Sequence, residues 1–226
     1  MISVGKLYEQ LKKRYGYLGW WPVFSKRNTQ GFDAKGYRLD FPEYPLAIDE
    51  IDEIIIGAVL TQNTAWKNVE TAIGRMVDES VVNGDAVLSA SEEDLAQLIK
   101  PSGYYNQKAK KLKSVFRSLN GTEEPTRDTL LGIWGIGPET ADSILLYGYG
   151  RPEFVIDAYT TRVLQRLGHF SGKCRYDEVK RRVTHGIHED IETYQNFHAY
   201  FVEFAKQFCR KKPLCEACPL KKYCSY

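Results

Sequence analysis

The stretch LLGIWGIGPETADSILLYG, residues 130–148, decides the fold. Two helical patterns flank Gly135, Ile136 and Gly137, and the glycines supply turn conformations that other residues avoid. Pro138 then favours the first turn of the second helix. Such a turn directs backbone N–H groups toward one point, which suits a phosphate oxygen. An ordinary corner between two helices would carry the same glycines, so the turn alone leaves both interpretations open.

Helical periodicity continues on both sides of this stretch, where apolar residues recur at helical spacing. Ser91 precedes three acidic residues and Thr126 follows a proline, as at helix starts. Convincing strand patterns are absent, and residues 26–45 are predicted to form a loop. The predicted fold class is therefore all-α. The predicted helices span residues 49–60, 66–77, 91–98, 107–119, 126–134, 139–147, 176–186 and 194–208.

The composition is that of a globular protein of one large or two small domains. The chain has 226 residues, of which 43% are hydrophobic and 27% charged. No apolar run approaches the roughly 20 residues of a membrane span, so we expect no membrane partner. The N-terminus lacks an apolar leader, which predicts a cytoplasmic protein, nucleoid-associated if the source is prokaryotic. A net charge of +2 excludes a polycation.

Four of the five cysteines lie in the last 18 residues with the spacing C-x5-C-x2-C-x5-C. They are Cys209, Cys215, Cys218 and Cys224. Because a cytoplasmic chain keeps its thiols reduced, a metal site is favoured over disulfides. One [4Fe–4S] cluster and one zinc ion both accept four thiolates, and the presence of a single C-x2-C pair favours the cluster. Cys174 has no sequence partner and is predicted to be a buried or free thiol.

The charge around these cysteines is strongly positive. Residues 205–226 contain six lysines and arginines but one acid, Glu216. This segment could contact a phosphate backbone, offset the charge of the thiolates, or form a solvated surface. His185, His188 and Glu189 have a loosely metal-like spacing, but they are predicted to be solvated.

Together these motifs resemble the endonuclease III superfamily of DNA glycosylases, named for its helix–hairpin–helix and its glycine, proline and aspartate residues. The resemblance covers about residues 50–226. The cysteine tail is similar to the family's cluster loop, although the spacing between its first two cysteines is one residue shorter than is usual in endonuclease III. The other matching motifs are the hairpin at 133–144, Asp157 in VIDAYTTRV, GAVLTQNT at 57–64 and GYYNQKA at 103–109.

The resemblance implies two helical domains with the active site in the cleft between them. A helical barrel would span residues 36–150, with the hairpin unit at 126–147. The cluster domain would combine residues 1–35 with 151–226, including the cluster loop at 209–224. The implied partner is damaged double-stranded DNA, bound by a monomer.

Glu139 departs from the pattern of the bifunctional enzymes, which carry a lysine at the matching position just after the hairpin. A lysine amine forms a Schiff base with the sugar and so permits strand cleavage, whereas a carboxylate cannot. Lys108 and Lys110 lie near a DNA-facing loop, but nothing in the sequence places them at the sugar. We therefore expect a monofunctional enzyme, in which any catalytic role of Glu139 is open.

The resemblance makes Asp157 the catalytic centre. A fixed carboxylate can stabilise the oxocarbenium character of glycosidic cleavage or orient the attacking water. An aspartate before Ala-Tyr-Thr-Thr is also a good helix N-cap, and the two roles are compatible. Arg162, on the same helix, is interpreted as structural or phosphate-facing.

The resemblance also assigns DNA contacts. Gln62 matches the wedge that fills the vacated stack, and Tyr104 matches a second intercalating position. The hairpin residues Gly135, Ile136 and Gly137 would bind the backbone. Alternatively, Gln62 is a polar loop residue and Tyr104 a half-buried tyrosine. The carbonyls that resemble the ligands of a monovalent cation in relatives belong to Leu131, Ile133 and Ile136.

The string LGWWPVF, which contains Trp20 and Trp21, is similar to the 3-methyladenine DNA glycosylase III branch when taken together with GAVLTQNTAW and GIGPETADSIL. That branch uses aromatic residues to line its base pocket. An alkylated purine is cationic, so it stacks favourably on aromatic rings. Trp66 and Trp134 are further pocket candidates, although tryptophan pairs are more often core. We expect a monofunctional glycosylase for alkylated purines such as 3-methyladenine and 7-methylguanine. The alternatives are a uracil or thymine mismatch glycosylase and a non-catalytic DNA-binding or redox-sensing protein.

Overall fold

The computed structural model describes residues 1–122 and 124–226, and the regular elements in these residues are helices apart from one isolated β-bridge, Phe32 to Arg38. The α-helices are α1 (Val4–Tyr15), α2 (Ile48–Leu60), α3 (Trp66–Asp78), α4 (Gly84–Ser89), α5 (Glu92–Leu98), α6 (Tyr105–Leu119), α7 (Arg127–Leu131), α8 (Pro138–Ser143), α9 (Ala158–Arg166), α10 (Tyr176–Thr184) and α11 (Ile191–Gln207).

One compact unit joins the two ends of the chain, Met1–Trp20 and Pro152–Tyr226. Helix α11 forms its centre, because most of its side chains are buried. Helix α1 packs on it through Tyr8, whose ring meets Phe197 edge to face at 5.3 Å. The Tyr200 hydroxyl donates to the carbonyl of Gly16 at 2.8 Å, so α11 also holds the chain after α1.

The second compact unit is Trp21–Arg151 and contains α2 to α8. Its core includes the apolar face of α2 and the ring of Trp21, which contacts Trp66 at 5.2 Å and Tyr147 at 5.3 Å. The N-terminal boundary therefore falls after Trp20 and not after residue 35 as expected. The reason is that Trp21 and the following loop pack with the second unit, which a sequence pattern does not reveal.

The predicted loop at residues 26–45 is fixed by specific contacts. Glu53, which is buried in α2, accepts hydrogen bonds from the backbone N–H groups of Phe24 and Ser25. Gly36 has φ +86°, and a Cβ there would lie 2.3 Å from the carbonyl oxygen of Val23. The loop is thus irregular in backbone but closely packed.

Several helix boundaries differ from the sequence predictions. Thr126 caps α7 as expected, yet this helix ends at Leu131 rather than at residue 134. After α8 the chain continues as a π-helical turn, Ile144–Gly148, instead of an α-helix to residue 147. Helices α1 and α4 were not predicted, whereas α9 begins directly after Asp157, as the N-cap interpretation of that residue implied. No described helix is long and apolar enough to cross a membrane.

Candidate nucleic-acid interface and catalytic carboxylate

The hairpin between α7 and α8 is closed by an ion pair whose carboxylate is fully buried and whose arginine is partly exposed. Asp142, fully buried in α8, accepts a hydrogen bond of 2.7 Å from the Nε of Arg127 in α7. Gly135 has φ +85°, and Gly137 is the extended N-cap residue of α8. The left-handed conformation of Gly135 explains why a glycine occupies this position, because a side chain is strongly disfavoured there.

One of the three carbonyls proposed as cation ligands also takes part in the turn. The Ile133 carbonyl accepts the N–H of Ile136 at 3.1 Å, which leaves its second lone pair for another partner. Cation ligation by Leu131, Ile133 and Ile136 stays a prediction.

Gln62 is tied to the hairpin rather than projecting from its loop. Its Nε2 donates to the Gly135 carbonyl at 3.1 Å and to the Thr140 hydroxyl at 3.0 Å. Its Oε1 accepts from the Nζ of Lys111 at 2.6 Å. The next residue, Asn63, is exposed and has φ +54°. The exposed tip of this loop is therefore Asn63, and a wedge role for Gln62 stays a prediction.

Tyr104 has the exposure that an intercalating side chain needs. It is 69% exposed and precedes α6 in a left-handed conformation with φ +48°. The loop that carries it is anchored by Lys108, which is 2% exposed and donates to the carbonyls of Leu60 and Ser102 at 2.8 and 2.7 Å. Burial, with repulsion from Lys111, lowers the pKa of Lys108 to about 8. Lys108 is thus an anchor and not an exposed nucleophile.

A cleft of about 290 Å³ lies beside the hairpin in the second unit. Glu139 is one of its lining residues, and its carbonyl accepts a hydrogen bond from the Ser143 hydroxyl at 2.7 Å. The lining thus combines the loop before α3 with the N-terminal turn of α8. It consists of Ala58, Thr61, Gln62, Asn63, Gly135, Gly137, Glu139, Thr140 and Ser143.

Asp157 is the N-cap of α9 in the first unit, as its sequence context predicts. Its Oδ1 accepts the N–H of Thr160 at 2.7 Å, and its Oδ2 lies 3.8 Å from the Nε2 of His198 on α11. Burial alone would raise the pKa of Asp157, but the His198 imidazole and Thr160 outweigh it and lower the pKa. The carboxylate is therefore fixed in position and favoured in its ionised form.

The four tryptophans have different surroundings. Trp20 meets the buried His198 edge to face at 5.7 Å, so it belongs to the neighbourhood of Asp157. Trp21 is buried against Trp66, as a core residue is, whereas Trp134 is 59% exposed on the hairpin. The structure thus associates Trp20 with the carboxylate, and the base-pocket roles of all four stay predictions.

The four C-terminal cysteines are half-buried free thiols. Burial raises the pKa of Cys218, and the other three cysteines add to this effect, so all four lie within electrostatic range. Among the described residues, no three His, Cys, Asp or Glu side chains form a group that could hold a single metal ion. Four thiols with no other ligand type nevertheless have the donor chemistry of an iron–sulfur cluster.

Two arginines of α9 hold the start of this cysteine loop. Arg162 donates from Nε to the carbonyl of Cys209 at 2.8 Å, which supports its structural interpretation. Arg166 donates to the carbonyls of Arg210 and Lys211 at 2.6 and 3.1 Å. His188, by contrast, is exposed and paired with Asp190, as expected of a solvated histidine.

Sequence reasoning missed two residues of these sites, Lys111 and His198. Each acts on a side chain far away in sequence, Gln62 and Asp157 respectively. A lysine on a basic helix and a histidine on an aromatic one carry no local signal of such a contact.

This chain is similar in sequence and fold to known DNA repair proteins. The model of the HhH-GPD superfamily of base excision DNA repair proteins matches residues 56–189. A protein of Methanocaldococcus jannaschii, provisionally named a DNA repair glycosylase, is 40% identical over 232 residues, which cover 97% of this chain and 94% of that protein. Further relatives are named endonuclease III and thymine-DNA glycosylase.

Solved structures of DNA repair enzymes also resemble this chain. The H. pylori 3-methyladenine DNA glycosylase MagIII, bound to 1,N6-ethenoadenine, has a TM-score of 0.72 at 26% identity, covering 91% of this chain and 98% of that chain. A non-covalent endonuclease III–DNA complex has a TM-score of 0.76 at 21% identity, covering 100% and 96%, and shows the shared fold.

The protein is thus a DNA repair enzyme of the glycosylase class. More narrowly, the chain belongs to the HhH-GPD superfamily of base excision DNA repair proteins. The predicted endonuclease III-like resemblance and the all-α fold are confirmed.

The hairpin geometry predicts different effects for its two glycines. In Gly135→Ala the new Cβ would lie 2.7 Å from the Lys111 side chain at a φ of +85°, so we expect a loss of about 1–2 kcal/mol in unfolding free energy. Gly137→Ala is the control, because its φ is −96° and nothing lies within 4 Å of its Cβ. Denaturant titration measures both, and equal losses would contradict the assignment.

Proposed function

We propose that this protein is a monofunctional DNA glycosylase that removes alkylated purines from duplex DNA. The observation that carries the proposal is the half-buried Asp157, whose carboxylate accepts the N–H of Thr160, lies 3.8 Å from the His198 imidazole and is favoured in its ionised form. Cleavage of an N-glycosidic bond leaves positive charge on the sugar. A carboxylate that is already ionised and oriented stabilises that charge without further reorganisation.

Asp157 supplies the remaining chemistry as well. Its free lone pairs can orient a water molecule toward the anomeric carbon and accept a proton from it as the bond to the sugar forms. The departing alkylated purine takes the electrons of the glycosidic bond and leaves as a neutral base. An abasic site remains, and this route requires no general acid.

The lysines of the second unit support the monofunctional assignment. Glu139 stands at the position that resembles the Schiff-base lysine, and a carboxylate forms no imine. Lys108 is buried and its amine donates to two carbonyls, whereas the amine of Lys111 donates to Gln62. These two amines of α6 are therefore engaged in structural contacts.

Two observations support alkylated purines as the substrate class. Trp20 lies beside His198, which contacts Asp157, so an aromatic ring is available near the carboxylate. Aromatic faces attract a cationic base more than a neutral pyrimidine. The structural relative at 26% identity is a 3-methyladenine DNA glycosylase.

We also propose that Cys209, Cys215, Cys218 and Cys224 hold one [4Fe–4S] cluster. The cluster would stabilise the C-terminal loop, because four cysteines occupy all of its protein ligand positions. Arg162 and Arg166 hold the loop at its first cysteine, and the basic residues of 205–226 surround it.

The substrate class is tested with a panel of duplexes containing 3-methyladenine, 7-methylguanine, or uracil or thymine opposite guanine. We expect excision of the alkylated purines, and a fall of about a hundredfold or more in single-turnover rate for Asp157→Asn with duplex binding retained. Asp190→Asn is the matched control, since Asp190 caps α11 through Thr193 at 2.7 Å as Asp157 caps α9.

Each other outcome of the panel rejects the proposal in a defined way. Excision restricted to uracil or thymine would make the protein a mismatch glycosylase. Duplex binding without excision of any base, unaffected by Asp157→Asn, would show a non-catalytic DNA-binding protein.

Lyase chemistry is tested by borohydride reduction during turnover. We expect no covalent protein–DNA adduct from the natural chain, because Glu139 cannot form the imine that borohydride traps. Glu139→Lys serves as the positive control, since it restores an amine at that position. An adduct formed by the natural chain would show that another lysine reaches the sugar.

The cluster is tested by iron content and absorbance after anaerobic purification. We expect about four iron atoms per chain and a brown colour. Cys215→Ser should lower both, and Cys174→Ser should not, because Cys174 lies outside the C-terminal motif. A colourless protein with one zinc ion per chain would overturn the assignment.

A further inference from the structure

Lys111 makes a contact that the proposed mechanism does not use. Its amine, at the end of a side chain on α6, donates to the Oε1 of Gln62 at 2.6 Å. The same Gln62 side chain donates from Nε2 to Gly135 and Thr140. One amide therefore connects three parts of the second unit: α6, the hairpin, and the loop whose exposed tip is Asn63.

The stem of Lys111 adds a packing contact to this network. Its Cγ, Cδ and Cε atoms lie 2.7–2.8 Å from the place where a Cβ on Gly135 would be. Because Gly135 has no side chain, the aliphatic part of Lys111 can lie directly over the hairpin turn. The lysine thus contacts the hairpin with its stem and the loop with its amine.

The polar groups of Gln62 are directed inward by these bonds. Its carbonyl oxygen has one charged donor, and its amide nitrogen has two acceptors within 3.1 Å. All three bonds lie within the protein, so insertion of Gln62 into DNA would require that they break. It is well suited to fix where the loop residue after it, Asn63, is presented.

A second lysine secures the start of the same loop. Lys108, one turn earlier on α6, donates to the carbonyl of Leu60 at the end of α2 and to that of Ser102. Helix α6 therefore holds the loop after α2 at two successive points, Leu60 and Gln62. A segment fixed in this way has few alternative positions relative to the hairpin.

We propose that Lys111 is a positioning residue for base extrusion, which acts through Gln62 to hold the Asn63 loop in register with the DNA-binding hairpin. The inference rests on the proposed function, because extrusion matters only if the protein excises a base. Lys111 touches neither the sugar nor the base in this role. Its loss should reduce extrusion without an equal reduction in duplex binding.

The variant to test is Lys111→Met, which keeps an unbranched apolar stem over Gly135 but removes the amine. Lys110→Met is the matched control, since Lys110 is exposed on the same helix and its loss removes the same charge. Base extrusion is monitored through the fluorescence of 2-aminopurine in a duplex that carries a non-cleavable abasic analogue. This readout does not require that the preferred base be known.

For Lys111→Met we expect the extrusion equilibrium, and the single-turnover excision rate, to fall about tenfold or more relative to Lys110→Met. Affinity for undamaged duplex should change equally in the two variants. Lys111→Arg, which keeps a charged donor, should recover part of the loss. In a Gln62→Ala background, Lys111→Met should have no further effect, because the two residues act as one unit.

Three results would overturn the proposal. Additive effects of Gln62→Ala and Lys111→Met would show that Lys111 does not act through Gln62. A fall in affinity and in its salt dependence beyond that of Lys110→Met would make Lys111 a direct phosphate contact. Unchanged extrusion would leave it a surface lysine. Failure of the natural chain on the whole lesion panel would instead reject the proposed function, while the abasic-duplex assay would still report on Lys111.

Discussion

The ion pair between Arg127 and Asp142 is the constraint on which the hairpin region of the second unit depends. Asp142 is fully buried, so its charge must be matched within the protein, and Arg127 supplies the match across the hairpin. The pair fixes α7 against α8 and so sets the position of the turn at Gly135. At this turn, the Gly135 carbonyl accepts a hydrogen bond from the Gln62 amide, and the aliphatic stem of Lys111 packs over Gly135. The contacts of Gln62 and Lys111 with the turn therefore depend on a hairpin that this ion pair keeps closed.

Helix α6 uses lysines in an unusual way, as donors to the carbonyls at the ends of other helices. Lys108 donates to Leu60 at the end of α2, and Lys113 donates to Leu88 and Ala90 at the end of α4. The last carbonyls of a helix lack hydrogen-bond partners within the helix and carry partial negative charge. An ammonium group there both donates hydrogen bonds to these carbonyls and is attracted by their charge. Both lysines are buried, which is costly, and for Lys108 the cost appears as a pKa lowered to about 8.

The sequence predicted those features that are local in the chain. The hairpin glycines, the caps at Ser91 and Thr126, and the N-cap geometry of Asp157 follow from residue type and short spacing, and the structure contains each of them. The contacts of Lys111 with Gln62 and of His198 with Asp157 join residues 49 and 41 positions apart. Their side chains are common at helix surfaces and in cores, so no spacing rule distinguishes them.

The boundary after Trp20 is another feature that the sequence pattern could not predict. Trp20 and Trp21 are identical in type and adjacent in sequence, yet Trp20 packs on His198 of one unit and Trp21 on Trp66 and Tyr147 of the other. Residue type and adjacency do not say which partner each ring will find. Trp20 thereby becomes a neighbour of His198, whose imidazole lies 3.8 Å from the Asp157 carboxylate. The two adjacent rings therefore have different surroundings, one beside His198 and one in a core, which their shared residue type could not indicate.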